Sequence, residues 1–303
     1  MATVGVFDGL HRGHQAILDP LIAAAEAGRF RAVLFSFQPR PVTVFAPGTP
    51  PDELTPAPRK WRLLAEAGID RVVVLRFSRG FAQMEAGAFL TEVLGAGKGL
   101  RGIWIGHDFR FGRGRRGDFE MLAGAGKRFG FDANRIGPVH VDGAIVSSTK
   151  IRRMIRSGEI AAAARLLGRW PDLEGEVVHG QGIGRRDLVA TANLKLPDTQ
   201  CLPAAGVYAG EAEWEGVYLP AVMNLGRRPT LTDGRQLVAE VHVLDFRGDL
   251  RGKRLLFRVR ERIRDERNFQ SVKELRGQIE ADIAQARSRA AIWSSLDSGL
   301  VIG

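Results

Sequence analysis

Two patterns of hydrophobic and polar positions divide the chain into halves. In the first half, short apolar runs bounded by glycine or charge alternate with stretches of helical spacing. The runs that predict buried strands are residues 3–7, 31–37, 71–77 and 102–105. The stretches that predict helices are residues 15–27, 59–67 and 85–94. Because strands and helices alternate, we expect a parallel sheet with helices on both faces.

The second half loses this alternation. Residues 149–167 predict one continuous helix, and residues 169–175 predict a linker because the periodicity stops around Pro171. The strands predicted beyond it are residues 176–179, 188–196, 206–214, 218–225, 236–246 and 253–259. Successive strands with only turns between them are typical of an antiparallel sheet or a small barrel. A last helix is predicted at residues 272–291, where Ser271 and Glu274 form a capping box.

The composition is that of an ordinary globular protein. The chain has 303 residues, 45% hydrophobic and 26% charged, which suits about two domains with buried cores. No apolar run approaches the roughly 20 residues that cross a bilayer, and no signal-peptide pattern precedes the first strand. Cys201 is the only cysteine, so no internal disulfide can form and a reducing cytoplasm is the expected location.

The formal charge of +10 favours anionic ligands. The arginines are dispersed among residues 110–116, 152–156 and 247–267. This dispersal indicates several phosphate-binding places rather than one surface for a nucleic-acid duplex. For most individual arginines, a solvated surface position is the simpler interpretation.

The strongest local signal is the run VFDGLHRGH at residues 6–14, between the first predicted strand and the first predicted helix. Ligands of open α/β sheets bind at this edge, and helix N-terminal amides favour phosphate there. His11 and His14 can both donate hydrogen bonds to a phosphate whose charge grows in a transition state. A lone histidine would be interpreted as a surface residue, but two in one glycine-flanked turn indicate catalysis.

A second signal, SSTKIR at residues 147–152, places hydroxyls and cations at the start of a predicted helix, where phosphate can bind. Together with HRGH it resembles the nucleotidyltransferase superfamily, which holds ATP for attack on its α-phosphate. FSFQPRP at residues 35–41 and GHDFRFG at residues 106–112, followed by arginines and Gly117-Asp118, narrow the match. These segments resemble the FMN adenylyltransferase module of prokaryotic bifunctional riboflavin kinase/FAD synthetases.

This resemblance implies a role for each matching residue. His11 and His14 would be catalytic. The ATP-binding residues that it implies are Phe7, Asp8, Gly9, His11, His14, Ser147, Ser148, Thr149 and Arg152. The flavin-binding residues that it implies are Asp108, Phe109 and Phe111, and it implies that the loop at residues 113–116 lies near phosphate. For at least one of the two phenylalanines, core packing is an equally good interpretation.

In the second half, a glycine-rich basic loop that could cradle phosphate precedes a strand. Its candidate ATP-binding residues are Gly180, Gly182, Gly184 and Arg185. Thr191 and Asn193 follow, two residues apart on one face of the strand, and offer two oxygens to a cation such as Mg²⁺. Glu240 interrupts an apolar strand, so it is paired, exposed or functional, for instance as a catalytic base. Without further context, an exposed edge-strand position is the simpler interpretation.

Four segments provide that context and resemble the riboflavin kinase module. They are GEVVHGQGIGRRDLVATANL at residues 175–194, GVYA at 206–209, NLGRRPT at 224–230 and EVHVLDFRGDLRG at 240–252. The resemblance implies that Thr191 and Asn193 bind Mg²⁺–ATP and that Glu240 is the base toward the ribityl 5′-hydroxyl. Leu188 and Ala190 stand where the family has glycine and proline, which changes the backbone freedom before Thr191. We expect a working kinase, with an impaired kinase as the alternative.

The combined expectation is a Rossmann-like nucleotidyltransferase sheet followed by a six-stranded antiparallel barrel with a terminal helix. The expected domains are adenylyltransferase at residues 1–168, linker at 169–175, kinase at 176–291 and tail at 292–303. The chain would phosphorylate riboflavin to FMN and transfer AMP from ATP to FMN, giving FAD and pyrophosphate. It would use ATP, Mg²⁺ and flavins as a monomer or weak homo-oligomer, without nucleic acid or membrane.

Two alternatives stay open. Class I aminoacyl-tRNA synthetases share an HxGH-type ATP site, and a small barrel can bind single strands. Against a nucleic-acid enzyme, the second half lacks an evident aromatic stacking platform and carries the kinase-like residues. A regulatory protein with decayed sites is the second alternative. The intact HRGH and SSTKIR segments oppose it for the first half, whereas Leu188 and Ala190 leave it open for the second.

Overall fold

The computed structural model describes residues 1–46, 48, 52–178, 191–229 and 235–297. The chain divides into two compact units. Unit 1 contains Met1–Pro51 and Thr55–Ser148, and unit 2 contains Asp52–Leu54 and Thr149–Gly303. None of the described helices is long and apolar enough to cross a membrane.

Five parallel strands form the sheet of unit 1. They are β1 (Ala2–Val4), β2 (Val33–Gln38), β3 (Arg71–Arg76), β4 (Gly102–Gly106) and β5 (Asp132–Ile136). The order β3-β2-β1-β4-β5 places β1 at the centre. The parallel sheet and its first four strands confirm the prediction. The prediction did not include β5, because Asp132, Asn134 and Arg135 interrupt the apolar pattern of that strand.

Helices pack on both faces of this sheet, as expected. They are α1 (Arg12–Gly28), α2 (Pro41–Phe45), α3 (Ala57–Glu66), α4 (Ala86–Ala88, continued by a π-helical turn at Phe89–Val93) and α5 (Phe119–Phe129). In β4, Ile103 and Ile105 join the core beneath α4 and α5, whereas Trp104 joins the core beneath α1 and α3. A short hairpin, β6 (His140–Val141) with β7 (Ala144–Ile145), follows.

The prediction of a single helix at residues 149–167 is wrong. Two helices occupy this segment, α6 (Ser148–Ser157) and α7 (Ile160–Leu167). Gly158 lies between them with a φ of +82°, a left-handed conformation that ends α6. The start of α6 at Ser148 agrees with the predicted hydroxyl-rich N-terminus.

A closed antiparallel barrel of six strands forms the core of unit 2 and confirms the predicted barrel. The strands are β8 (Asp172–Val178), β9 (Ala192–Lys195), β10 (Gly206–Trp214), β11 (Val217–Pro229), β12 (Arg235–Val243) and β13 (Arg254–Arg264). Their order around the barrel is β10-β11-β12-β9-β8-β13. Tyr208 and Phe257 are fully buried in the interior, and β8 begins inside the segment predicted as a linker.

The terminal helix α8 (Val272–Asp297) packs against the outer face of the barrel. The Ser271 Oγ accepts a hydrogen bond from the Glu274 amide at 3.1 Å, as the capping-box prediction requires. The Glu274 carboxylate accepts from the Gln270 amide at 3.0 Å, one residue earlier than in a regular capping box. The helix continues past the predicted end at residue 291. Trp293, only 4% exposed, packs there against Val207 and the neighbouring barrel side chains.

Candidate active sites

A strained turn follows β1 at the carboxyl edge of the unit 1 sheet. Phe7, Gly9 and Leu10 have φ angles of +50°, +91° and +39°, a region unfavourable for the two residues that carry a Cβ. Asp8 lies between them and is only 4% exposed. Its carboxylate accepts a hydrogen bond from the Thr55 amide at 3.1 Å and lies 3.3 Å from Nη1 of Arg40. These buried contacts hold the turn in its unfavourable conformation.

Two further side chains bond to the backbone of the same turn. Ser148 Oγ donates to the Asp8 carbonyl at 2.9 Å, and the buried Lys60 Nζ donates to the Val6 carbonyl at 3.3 Å. The structure therefore brings Ser148, the first residue of α6, to the turn that precedes HRGH. Each of these contacts joins residues more than fifty positions apart.

His11 and His14 form a stacked pair at the start of α1. Their ring centroids are 3.6 Å apart with an angle of 15° between the planes, and the His14 ring also lies 4.7 Å from that of Phe7. His11 is 6% exposed and occupies the N-cap position, and His14 is half-buried in the first turn. Gly13 lies between them, and a Cβ there would be 3.2 Å from the His11 ring. Two imidazoles beside the α1 N-terminus can bind phosphoryl oxygens.

The remaining residues of the SSTKIR segment divide between the units. Ser147 is half-buried in unit 1, whereas Thr149, Lys150 and Arg152 belong to unit 2. There the Arg152 Nε lies 3.8 Å from Oδ2 of Asp52.

Two cavities border residues of these sites, one of about 380 Å³ and one of about 480 Å³. The second lies in unit 1, and we call it the aromatic cavity. Its lining residues are Phe37, Pro41, Phe45, Phe77, Phe81, Ala82, Met84, Phe89, Phe109, Arg110, Phe111, Gly112, Gly114 and Arg115. Phe109 and Phe111 were predicted near the flavin, and both line it. The predicted Asp108 is exposed and does not belong to the lining.

The two predicted phenylalanines differ in their surroundings. Phe111 is 5% exposed and packs against Phe89, with ring centroids 5.5 Å apart. Phe109 is half-buried and stacks on Phe111 at 5.7 Å, with 23° between the planes. Core packing therefore applies to Phe111, and Phe109 presents more of its surface. The other phenylalanines of the cavity were not predicted as site residues; they are Phe37, Phe45, Phe77, Phe81 and Phe89.

The loop that carries Phe109 and Phe111 is closed by backbone hydrogen bonds. Phe111 and Gly117 exchange amide–carbonyl bonds of 3.1 and 2.9 Å, and the Arg113 amide donates to the Met84 carbonyl at 2.7 Å. Asp118 caps α5 by accepting from the Met121 amide at 3.0 Å, and this bond, with a smaller contribution from Arg110, lowers the pKa of its carboxyl. The loop is therefore a fixed wall of the cavity.

In unit 2, polar side chains align across three neighbouring strands on the outer face of the barrel. Glu240 of β12 is directly opposite Asn193 of β9 on one side and Asn224 of β11 on the other. Directly opposite residues of antiparallel strands point to the same face, so the three side chains share it. Glu240 is 8% exposed, which contradicts the solvent-facing interpretation of this residue.

This face borders the cavity of about 380 Å³, which we call the barrel cavity. Thr191, Asn224, Glu240 and His242 line its barrel side. Leu275, Ile279, Asp282 and Ile283 of α8 line the opposite side. The Arg264 guanidinium joins the two sides through bonds of 2.8 to 3.1 Å to the Asp282 carboxylate. Asn224, Arg264 and Asp282 were not predicted as site residues, because only strand pairing and helix docking bring them to the cavity. His242 lies two residues from Glu240 on β12, and this spacing alone predicts that the two share a face. Gly180, Gly182, Gly184 and Arg185 lie outside the described residues.

The fold and the two sites define a class of enzyme, a nucleotide-dependent transferase that combines a Rossmann-like sheet with a six-stranded barrel. Sequence comparison gives the family. The profile described as FAD synthetase matches residues 1–150, and the profile described as riboflavin kinase matches residues 167–290. The chain belongs to the bifunctional riboflavin kinase/FMN adenylyltransferase family, which confirms the resemblance. It is an enzyme of FAD biosynthesis whose substrates are riboflavin, FMN and ATP.

Three relatives illustrate the match. The bifunctional riboflavin kinase/FMN adenylyltransferase of Pseudomonas fluorescens is 38% identical over 291 residues, covering 96% of this chain and 93% of the relative. That of Escherichia coli K12 is 40% identical over 286 residues, covering 94% and 91%. A crystal structure named as a macrolide-efflux protein from Streptococcus pneumoniae has a TM-score of 0.85 and 31% identity, covering 94% of this chain and 93% of that one.

Proposed function

We propose that the two activities are divided between the two units, with AMP transfer to FMN in unit 1 and phosphorylation of riboflavin in unit 2. The observation that carries the first assignment is the stacked pair of His11 and His14 on the turn held by Asp8. The second assignment is supported by the buried Glu240 among the asparagines of the neighbouring strands. The separate profile matches to residues 1–150 and 167–290 support the same division.

In unit 1, a phosphate oxygen of FMN attacks the α-phosphorus of ATP. The new P–O bond joins FMN to AMP, and the bond to the β-phosphate breaks to release pyrophosphate. No covalent intermediate with the protein is needed, so catalysis depends on position and on charge stabilisation. His11, His14 and the amides at the start of α1 hold the phosphoryl oxygens, with Phe7 and Gly9 forming the turn beneath them. Ser147 and Ser148 complete the ATP-binding set within unit 1, and Thr149 and Arg152 stay predictions for it.

Asp8 serves this site through the backbone. Its carboxylate is occupied by Thr55 and Arg40, and its carbonyl accepts from Ser148. The aromatic cavity takes the flavin ring, because stacked phenylalanines suit a large planar heterocycle. Phe109 contacts the ring directly and Phe111 supports Phe109 from behind.

In unit 2, the 5′-hydroxyl of riboflavin attacks the γ-phosphorus of ATP. Glu240 accepts the proton of that hydroxyl, the new P–O bond forms FMN, and ADP leaves. Asn224 and His242 lie beside Glu240 and orient the ribityl chain in the barrel cavity. The glycine-rich loop with Gly180, Gly182, Gly184 and Arg185 stays a prediction for the ATP phosphates, as does the effect of Leu188 and Ala190.

The residues that would hold Mg²⁺ fit this ion. Thr191 and Asn193 provide a hydroxyl and an amide oxygen on the face that carries Glu240, and Mg²⁺ prefers oxygen ligands with several supplied by water and phosphate. Within the described residues, no group of three or more histidines, cysteines and carboxylates could hold a metal. A mixed site completed by ATP therefore fits better than an all-protein site. Bound there, Mg²⁺ would neutralise charge on the ATP phosphates.

Several expectations stay predictions. They are the domain bounds at residues 168 and 176, the cytoplasmic location, the monomeric or weakly associated state, and the absence of nucleic-acid and membrane partners.

Complementation between two variants tests the division of activities. His14→Asn should make FMN but no FAD from riboflavin, and Glu240→Gln should make neither product from riboflavin. Mixed together, the two full-length variants should produce FAD from riboflavin, because FMN made by one reaches the other. If His14→Asn alone still makes FAD, or if the mixture makes none although each retains its other activity, the proposed division is wrong.

A further inference from the structure

The aromatic cavity has an uneven distribution of polar groups. Among the described residues that line it, Arg110 and Arg115 are the only ones with a polar side chain. The Arg110 guanidinium lies 2.9 Å from the Asp118 carboxylate, and nearby Arg113 lies 3.5 Å from Glu85. In the described part of the chain, Arg115 has no such acidic partner. One charged donor in an apolar cavity is therefore left for a ligand.

The backbone presents this arginine in an unusual conformation. Arg115 has a φ of +58°, a left-handed conformation that is unfavourable for any residue with a Cβ. Gly114 before it has a φ of +61°, and the Arg115 amide donates to the Gly112 carbonyl at 3.0 Å. Glycine would suit position 115 better on conformational grounds. Unfavourable backbone of this kind clusters at ligand-binding sites, although it also occurs at a helix C-cap such as Arg29.

The loop leaves Arg115 little freedom to move away from the cavity. A Cβ on Gly112 would lie 2.6 Å from the Cα of Ala86, so the backbone of the loop is pressed against α4. The Phe111–Gly117 and Arg113–Met84 backbone bonds described above close the loop on both sides. The arginine is therefore held at the cavity by the backbone.

We propose that Arg115 is a specificity-determining residue of FMN adenylylation, which recognises the polar pyrimidine edge of the isoalloxazine ring. This inference rests on the proposed function of unit 1. The ring has an apolar dimethylbenzene end and an opposite end with two carbonyls beside ring nitrogens. Guanidinium donates two parallel hydrogen bonds, which suits such adjacent acceptors. Stacked phenylalanines take the apolar end, and Arg115 donates to the polar end.

The phosphate of FMN is the other group that an arginine could bind. It has to reach the α-phosphorus of ATP, which His11 and His14 hold in the proposed reaction. Neither histidine lines the aromatic cavity, whereas Arg115 does. The ring is therefore the part of FMN that shares a cavity with Arg115.

Steady-state kinetics of FAD formation from FMN, on the full chain, tests this inference. Arg115→Ala should raise the KM for FMN by about 10- to 100-fold, the range of one lost hydrogen-bonded charged group, with a much smaller change in kcat. The KM of Arg115→Lys for FMN should lie between those of the parent and Arg115→Ala, because an ammonium cannot donate two parallel hydrogen bonds as a guanidinium can. Arg116→Ala is the matched control, because Arg116 is exposed like Arg115 but lies outside the cavity lining and should keep the parent KM.

Inhibition by lumiflavin, which has the ring without ribityl chain or phosphate, separates the two possible contacts. If Arg115 binds the ring, Arg115→Ala raises the Ki of lumiflavin by the same factor as the KM of FMN. An unchanged Ki with a raised KM would instead assign Arg115 to the phosphate and overturn the inference, and so would an unchanged KM. Failure of the parent chain to form FAD would contradict the proposed function itself.

Arg115→Gly separates ligand binding from a structural role. It removes the side chain and also relieves the positive φ, so its unfolding temperature should not fall below that of the parent. The same rise in KM with retained stability supports the inference. A lowered unfolding temperature with a fall in kcat, and no change in KM, would show that Arg115 only maintains the loop. The riboflavin kinase rate of each variant provides an internal check on folding of unit 2.

Discussion

The carboxylate of Asp8 and the guanidinium of Arg40 lie 3.3 Å apart, beneath the turn that leads into the stacked histidines. The side chain of Asp8 is 5% exposed and that of Arg40 is 14% exposed, so water screens this ion pair poorly. Arg40 comes directly before α2, and Thr55, the second partner of Asp8, lies in a different loop. One aspartate thus joins the catalytic turn to two distant loops.

Asp8→Asn tests this positioning role. The amide oxygen can still accept from Thr55, but the ion pair with Arg40 is lost, so we expect a loss of about 1–3 kcal/mol of unfolding free energy. Misplacement of the turn should reduce kcat/KM for FAD formation by about 100-fold. The kinase rate of the same chain should not change. Asp132→Asn, an exposed position on β5, is the control, and equal effects of both substitutions would contradict the account.

Phe109 and Phe111 should respond differently to truncation. Phe111→Ala removes a side chain that is 5% exposed and should cost about 3–5 kcal/mol of stability. Phe109→Ala should raise the KM for FMN by about tenfold, the worth of one aromatic stacking contact, with a smaller loss of stability. Denaturant unfolding measures the loss of stability of each variant, and the kinetics of FAD formation measure its KM for FMN. The reverse pattern would place Phe109 in the core and Phe111 at the ligand.

The end of α8 offers a matched pair of neighbours. Trp293 is 4% exposed against the barrel, whereas Ile292 beside it is 46% exposed. Trp293→Ala should destabilise unit 2 by about 3–5 kcal/mol, and Ile292→Ala should change stability by less than about 0.5 kcal/mol. Riboflavin kinase inactivation on heating reports the difference. Similar inactivation temperatures for the two variants would show that the helix end does not stabilise the barrel.

Cys201 provides a prediction on pH. Burial, followed by the nearby Asp52 carboxylate, raises the pKa of this thiol from 9.0 to about 12. The folded chain retains the proton that the unfolded chain loses, so this contribution to stability is complete below pH 9 and disappears as pH rises to about 12. The stability advantage of the parent chain over Cys201→Ala should therefore shrink across that range. A constant difference in denaturant midpoint from pH 8 to pH 11 would contradict the raised pKa.

The same burial predicts slow chemistry of the thiol. At pH 8 the folded chain should react with a thiol reagent far more slowly than the chain unfolded in guanidinium. The unfolded chain should react at one thiol per chain. Rapid reaction of the folded chain would mean that Cys201 is accessible.

The sequence alone predicted those features whose signals are local. Strands β1 to β4, the barrel and the histidines of HRGH each depend on residues a few positions apart, and the apolar alternation or glycine spacing of those segments is strong. β5 was missed because its stability comes from pairing with β4 rather than from its own polar residues. The break at Gly158 was missed because a single glycine within an alanine-rich helical pattern does not by itself stop a helix.

The contacts that functional residues make with distant partners could not be predicted. Glu240 is buried because β9 and β11 flank it, and β9 is distant from it in sequence. The contacts of Asp8 with Arg40 and Thr55 span 32 and 47 positions. The left-handed φ of Arg115 follows from how its loop closes on α4, which no residue type in the loop requires.

The most direct test of the account is a paired assay of the purified full chain with Mg²⁺–ATP and either riboflavin or FMN, with the flavin products separated by chromatography. The account predicts FAD from both substrates, with FMN as an intermediate when riboflavin is supplied. Formation of FAD from FMN alone would contradict the kinase assignment and would point to Leu188 and Ala190. No flavin product from either substrate would contradict the assignment of both units.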